Sequence, residues 1–143
     1  MAYCTLDQLN DRFGPATLIA LTDRADVPTG AVDLDVLGRA VADADAMIDG
    51  YLAARYALPL ASTPALIAVV SQDITLWKLH LGEPSAKVKA DYDAALRTLR
   101  DISAGAIRIP EASGLDPAAP GTSGVVVTDR ERPFAADQMK GFI

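Results

Sequence analysis

Asp33-Leu34-Asp35-Val36-Leu37-Gly38-Arg39-Ala40-Val41-Ala42-Asp43-Ala44-Asp45-Ala46-Met47-Ile48-Asp49-Gly50-Tyr51-Leu52-Ala53-Ala54 places apolar side chains at Leu37, Ala40, Val41, Ala44, Met47, Ile48, Tyr51 and Leu52. Steps of three and four residues put these on one face of an α-helix. Asp33 stands where an N-cap belongs, because its carboxylate can accept the free N–H groups of the first turn. Some twenty residues at about 1.5 Å each make a rod on the order of 30 Å long. Its other face is acidic, with Asp35, Asp43, Asp45 and Asp49, and reads as solvated. Ala40, Ala42, Ala44, Ala46 and Ala53 are small enough to let a neighbouring helix approach closely. Gly50 inside this helix costs about 1 kcal/mol relative to alanine; close packing of a neighbouring helix or subunit would account for it, and so would a kink.

Helical patterns continue on both sides. Upstream, Thr5 and Gln8 have the spacing of a capping box, and Leu6, Leu9 and Phe13 form one apolar face. Gly14-Pro15 ends that helix and starts a second short one through Leu21, followed by a loop from Thr22 to Val32. Downstream, the prolyl segment Tyr56 to Ser62 is too apolar to stand free in water and is expected to cover the bundle end. Thr63 is expected to cap a fourth helix with Pro64 at its first position and Gly82 beyond its end. Leu66, Ile67, Val70, Ile74, Trp77 and Leu81 make its predicted inner stripe. A fifth helix runs from about Pro84 to Ala104, with Val88, Tyr92, Ala95, Leu96, Leu99 and Ile102 inward and Gly105 as terminator. The expected architecture is a small all-α bundle of about five helices, three of them main, occupying residues 1–105.

Beyond it the composition changes. Residues 105–143 hold five of the ten glycines and four of the nine prolines. Residues 106–143 therefore read as an extended C-terminal arm, too short to support a core of its own. Gly124-Val125-Val126-Val127-Thr128 is the one stretch with strand character. A lone strand leaves its backbone unpaired, and pairing with another sheet's edge satisfies it. Val125, Val126 and Val127, with Phe134, Met139 and Phe142 as apolar anchors, are the candidate partner-docking residues. A tail folded back over the bundle, or simply disordered, is the plainer alternative.

Composition bounds the function. The chain has 143 residues, half of them hydrophobic and 22% charged, the profile of one globular domain. Thirteen Lys and Arg against nineteen Asp and Glu give a net charge of −6, against a primary grip on phosphates. Cys4 is the single cysteine and His80 the single histidine, so neither a disulfide nor a Cys/His metal set can form within one chain. Asp45 and Asp49 share a helix face, but two carboxylates alone make a poor cation site. His80 reads as a surface or core-edge residue, Cys4 as a small half-buried apolar one, and Trp77 as core. Asp23-Arg24-Ala25-Asp26 reads as a capping or contact element. With no phosphate loop, dinucleotide fingerprint or zinc motif, no catalytic, metal or cofactor residues are assigned and an enzyme is not expected. The opening residues lack the basic and apolar regions of a signal peptide, and no run of about 18 apolar residues occurs, which predicts a cytosolic product of a reducing compartment with no membrane-spanning segment.

Four stretches resemble a known family: Leu6-x-x-Leu9-x-x-Arg12-Phe13-Gly14, Leu21-Thr22-Asp23-Arg24, Ile48-Asp49-Gly50-Tyr51-Leu52-Ala53-Ala54-Arg55-Tyr56-Ala57-Leu58-Pro59-Leu60, and Tyr92-x-x-Ala95-Leu96-x-x-Leu99-x-x-Ile102-x-x-Gly105. They are similar to the small structural proteins of Mu-like phages encoded among the head and tail-joining genes. The resemblance implies a virion protein of the neck, a head–tail connector or adaptor. Such an adaptor forms a ring of about twelve copies between the portal protein and a tail-side connector or tail terminator, and DNA passes through without specific binding. The family supplies no catalytic residues. On this reading Asp43, Asp45, Asp49 and Gly50 are candidates for a lumen or a subunit interface, an acidic lumen repelling passing DNA. The competing reading is a small helical DNA-binding or packaging accessory protein of a phage or prophage. The acidic balance and the lack of a helix rich in Arg, Lys, Asn and Gln count against it.

Overall fold

The computed structural model describes residues 2–110 and residue 112. Five helices follow in order: α1 (Leu6–Phe13), α2 (Pro15–Thr22), α3 (Leu34–Leu52), α4 (Ala65–Leu79) and α5 (Ala86–Ala104). The fold is the small all-α bundle that the periodicity predicts, and among the described residues there is no β-strand. Gly124–Thr128 and the candidate docking residues Val125, Val126, Val127, Phe134, Met139 and Phe142 lie outside the described residues.

Local chemistry explains most helix ends. The Thr5 hydroxyl accepts from the Gln8 N–H at 3.3 Å while the Gln8 carboxamide accepts from the Thr5 N–H at 3.0 Å. This reciprocal box satisfies two donors that a helix start otherwise strands. Gly14 takes a positive φ of 82°, which lets α1 turn directly into α2. Asp33 caps α3 through the N–H groups of Asp35 and Val36, at 2.9 and 3.0 Å.

The ends of α4 differ from expectation. Thr63 makes no cap; Pro64 itself holds the N-cap position with ψ at 144°, and the helix starts at Ala65. Because Pro64 stays extended instead of opening the helix, Thr63 lies one residue outside the N-cap position. At the other end the helix stops at Leu79, short of Gly82, because His80 turns extended with ψ at 127°. Arg24 supplies the missing partner there, its Nη2 donating to the Leu79 carbonyl at 2.7 Å. A cation at a helix C-terminus also complements its dipole. The start of α5 shifts as well: Ser85 is its N-cap and Ala86 its first residue.

α3 and α4 run antiparallel, and α5 packs against both. The larger core cluster joins Ala44, Ile48 and Leu52 of α3 to Ile67, Val70 and Ile74 of α4 and Ala95, Leu99 and Ile102 of α5. A second cluster, from Cys4, Leu9 and Leu18, covers Leu37 and Ala40 of α3 and Leu79 of α4. α1 is tied to α4 by Arg12, which pairs with Asp73 at 2.7 Å and donates to the Val69 carbonyl and Gln72 Oε1, both at 3.2 Å. Being covered from several directions, α4 buries more than one stripe. Ser71, Gln72 and Thr75 are buried, whereas Leu66 and Leu81 of the predicted inner stripe are exposed and Trp77 is half-buried, stacked on Tyr92 with ring centroids 4.6 Å apart.

The loop after α3 seals the bundle end, as its apolar character predicts: Tyr56 and Leu60 are buried in the larger cluster. The body does not stop at residue 105. Ile109 is buried in the same cluster and donates its N–H to the Tyr56 hydroxyl at 2.9 Å, with Ile107 and Ala112 packed alongside. The expected arm thus begins as part of the body.

Candidate functional site

Among the described residues, the outer side of α3 and the cleft beside it leave small residues and cations without partners. Gly38, Ala42, Ala46 and Gly50 recur every fourth residue along α3 and are all exposed. A Cβ placed on Gly38 or Gly50 would meet nothing within 4 Å. Ala40 and Ala44, by contrast, face the core. Gly50 is therefore not explained by packing against the other described residues.

Along one flank of α3, between it, the turn after α2 and the end of α4, opens a cleft of about 230 Å³ lined by Arg24, Val36, Arg39, Ala40, Asp43, Lys78 and Leu79. Each cation is placed by its element. Arg24 is held by its Nε to the Leu21 carbonyl at 3.1 Å and by the Leu79 bond. Arg39 donates from Nε to the Asp35 carbonyl one turn back, at 3.2 Å. The turn carrying Arg24 is itself locked: Thr22 Oγ1 donates to the Leu18 carbonyl at 2.8 Å and accepts the Asp33 N–H at 3.1 Å, and Asp23 accepts the Gly30 N–H at 2.8 Å. Among the described residues the ion pairs are Arg12–Asp73 and Lys87–Asp91, so none of the three cleft cations has a carboxylate partner.

The predicted acidic stripe divides. Asp43 lines the cleft. Asp45 does not belong to a solvated face: it is 9% exposed, accepting the Tyr3 N–H at 3.2 Å and the Ser71 hydroxyl at 3.5 Å. Asp49 is half-buried and accepts the Tyr3 hydroxyl proton. The shared face read for Asp45 and Asp49 is real, but the N-terminal segment covers it. Burial pushes the Asp45 carboxyl above its ordinary range, against the opposing pull of the Tyr3 N–H. Burial, reinforced by the bond to Asp49, pushes the Tyr3 phenol up. The Asp73 carboxyl is also raised by burial, with Arg12 pulling the other way.

The remaining reactive groups are occupied by structure. Cys4 is buried, its Sγ 3.8 Å from Thr75 Oγ1, and burial raises its thiol. His80 sits at the core edge with Nδ1 2.8 Å from the Leu76 carbonyl. Among the described residues no group of three His, Cys, Asp or Glu is placed to hold a metal, and no helix is long and apolar enough to cross a membrane. Arg24, Arg39 and Lys78 are the site residues that sequence reasoning missed as a set. Only Arg24 carried a local signal, its capping or contact tetrad.

The five-helix body defines a small all-α protein. The chain belongs to the family described as Bacteriophage Mu, Gp36, which matches residues 3–128. Among its relatives, gene product J of Escherichia phage Mu is 32% identical over 143 residues, all of both chains. The Mu-like prophage FluMu protein gp36 of Haemophilus influenzae is 28% identical over 142 residues, 99% of this chain and 98% of the relative.

Proposed function

We propose that the protein is a structural component of the virion neck, an adaptor that assembles into a ring of about twelve copies between the portal protein and a tail-side connector or tail terminator. It is made in the bacterial cytoplasm, and DNA passes through the ring without specific binding. Family membership supports a role in the phage particle. The observation that carries the adaptor reading is the outer side of α3. A ridge of glycine and alanine at four-residue spacing, left open by the described residues, is a surface on which a second helix can seat ridge into groove. It lies beside a charged cleft, which would fix the orientation of such a contact. A rigid body with one unoccupied helix face is what a ring subunit requires.

The test is electron microscopy of the full chain mixed with its portal. Closed rings seated on the portal are the expected result. A chain that stays monomeric and leaves the portal bare would defeat the reading. Retention of duplex DNA at low salt in place of rings would favour the accessory-protein alternative.

A further inference from the structure

We infer that the cleft formed by Arg24, Arg39 and Lys78 is a carboxylate-docking site that receives an acidic surface residue from a second copy of this chain. This deepens the ring reading and rests on it. Three cations converge on one opening with a single carboxylate, Asp43, among them. None of the three is ion-paired within the described residues. Arg24 is fixed by two backbone carbonyls and Arg39 by one, so their remaining N–H donors are already oriented. An oriented guanidinium suits a planar carboxylate, to which it donates two parallel hydrogen bonds.

Charge complementarity selects the occupant. The described residues contain ten Lys and Arg and fourteen Asp and Glu. With the cleft's three cations and Asp43 set aside, seven cations face thirteen carboxylates over the rest of the body. The rest of the body thus carries a net negative charge, and another copy offers the positive opening an abundance of carboxylates. A nucleic acid fits less well, because Asp43 stands inside the cleft and the surrounding negative charge repels a phosphate backbone. The contact joins two different patches of the same chain. When the receiving and donated patches lie apart on the chain, such pairing is heterologous: it propagates head to tail and closes into a ring where the rotation between copies closes.

The experiment uses the full chain and the cleft's own lysine. Unlabelled and heavy-nitrogen-labelled protein are mixed, allowed to exchange subunits, and treated with a carbodiimide that joins amines to adjacent carboxylates. The expected product is a mixed-isotope peptide pair linking Lys78 to an Asp or Glu. Lys78 linked only within single-isotope chains would overturn the proposal. In parallel, the double variant Arg39→Glu/Lys78→Glu, checked for native helicity, should self-associate at least about tenfold more weakly at low salt. Wild-type rings formed by that variant would overturn the cleft contact and leave the adaptor reading standing. A wild-type chain that neither self-associates nor binds portal would remove both. Duplex DNA bound by the wild type and lost in the variant would give the cleft to a different occupant and overturn the proposal.

Discussion

Gly105 and Gly50 lie near the ends of two long helices and meet opposite surroundings. Gly105 closes α5 with φ at 84°, and a Cβ there would collide with the Arg55 guanidinium. That guanidinium cannot simply move away, since its Nε and Nη2 donate to the carbonyls of Ser103 and Ala104 at 3.0 and 3.2 Å and so cap α5. Gly50 has helical backbone and open space. Gly105→Ala should therefore destabilise the chain by roughly 1–3 kcal/mol, from left-handed strain and the lost cap. Gly50→Ala should stabilise it by up to about 1 kcal/mol. Urea unfolding followed by circular dichroism reads both. If α3's outer ridge seats another copy, the same Gly50→Ala chain, though more stable, will assemble less well in sedimentation; unimpaired assembly would take the ridge out of the interface. Most stretches that carry the family resemblance turn out to be such internal locks. Arg12 holds α4, Thr22 to Arg24 join the starts and ends of α3 and α4, and Arg55, Tyr56 and Gly105 bind one end of the bundle together. They specify the fold, and the cleft cations Arg39 and Lys78 fall outside them.

Among the elements, the N-terminal segment acts on α3 through Tyr3, whose N–H and hydroxyl engage Asp45 and Asp49 one turn apart. Burial raises the Asp45 carboxyl above its ordinary value of 3.8, so the folded chain binds that proton more tightly than the unfolded chain. Its contribution to stability is full below about 3.8 and is lost as pH climbs through the raised folded value. Asp73 acts in the same direction. Asp45→Asn keeps an oxygen for the Tyr3 N–H and removes the charge. It should flatten the fall in unfolding free energy as pH rises above about 3.8, measured by urea titration at stepped pH; an unchanged slope would show that Asp45 carries no part of it. How far a partner lies along the chain decides what is legible in the sequence. α1, α3 and the end of α5 are readable because their caps, Thr5 with Gln8, Asp33 and Gly105, act within a few residues. The C-terminal end and buried faces of α4 depend on Arg24, Arg12 and the covering helices, partners that lie far away in the chain. Asp45 was misread as solvated for the same reason, because its cover comes from residue 3. The basic cleft likewise brings together Arg24, Arg39 and Lys78 from three separate elements, with no local pattern to announce it.

For the whole molecule, the boundary between body and arm decides which residues are free to serve a partner. Composition places it at residue 105, but packing places it later. Ile109 is 4% exposed within the main cluster, and its N–H is satisfied by the Tyr56 hydroxyl, which in turn belongs to the loop sealing α3. Removing a buried isoleucine costs about 2–5 kcal/mol by truncation to alanine, and losing the segment also strips Ile107 and Ala112 from the same surface. A chain ending at Gly105 should accordingly melt well below the full protein, by roughly 10 °C or more. A chain lacking only residues 124–143 keeps every one of those contacts and should melt within about 3 °C of it. If the candidate residues Val125 to Phe142 serve docking, this longer chain will retain its helicity and lose its association with portal in pull-down. Should it instead unfold, residues 124–143 belong to the core and the docking assignment fails. Should it keep both stability and portal binding, attachment resides in the helical body, and the α3 face and its basic cleft become the surfaces to alter next.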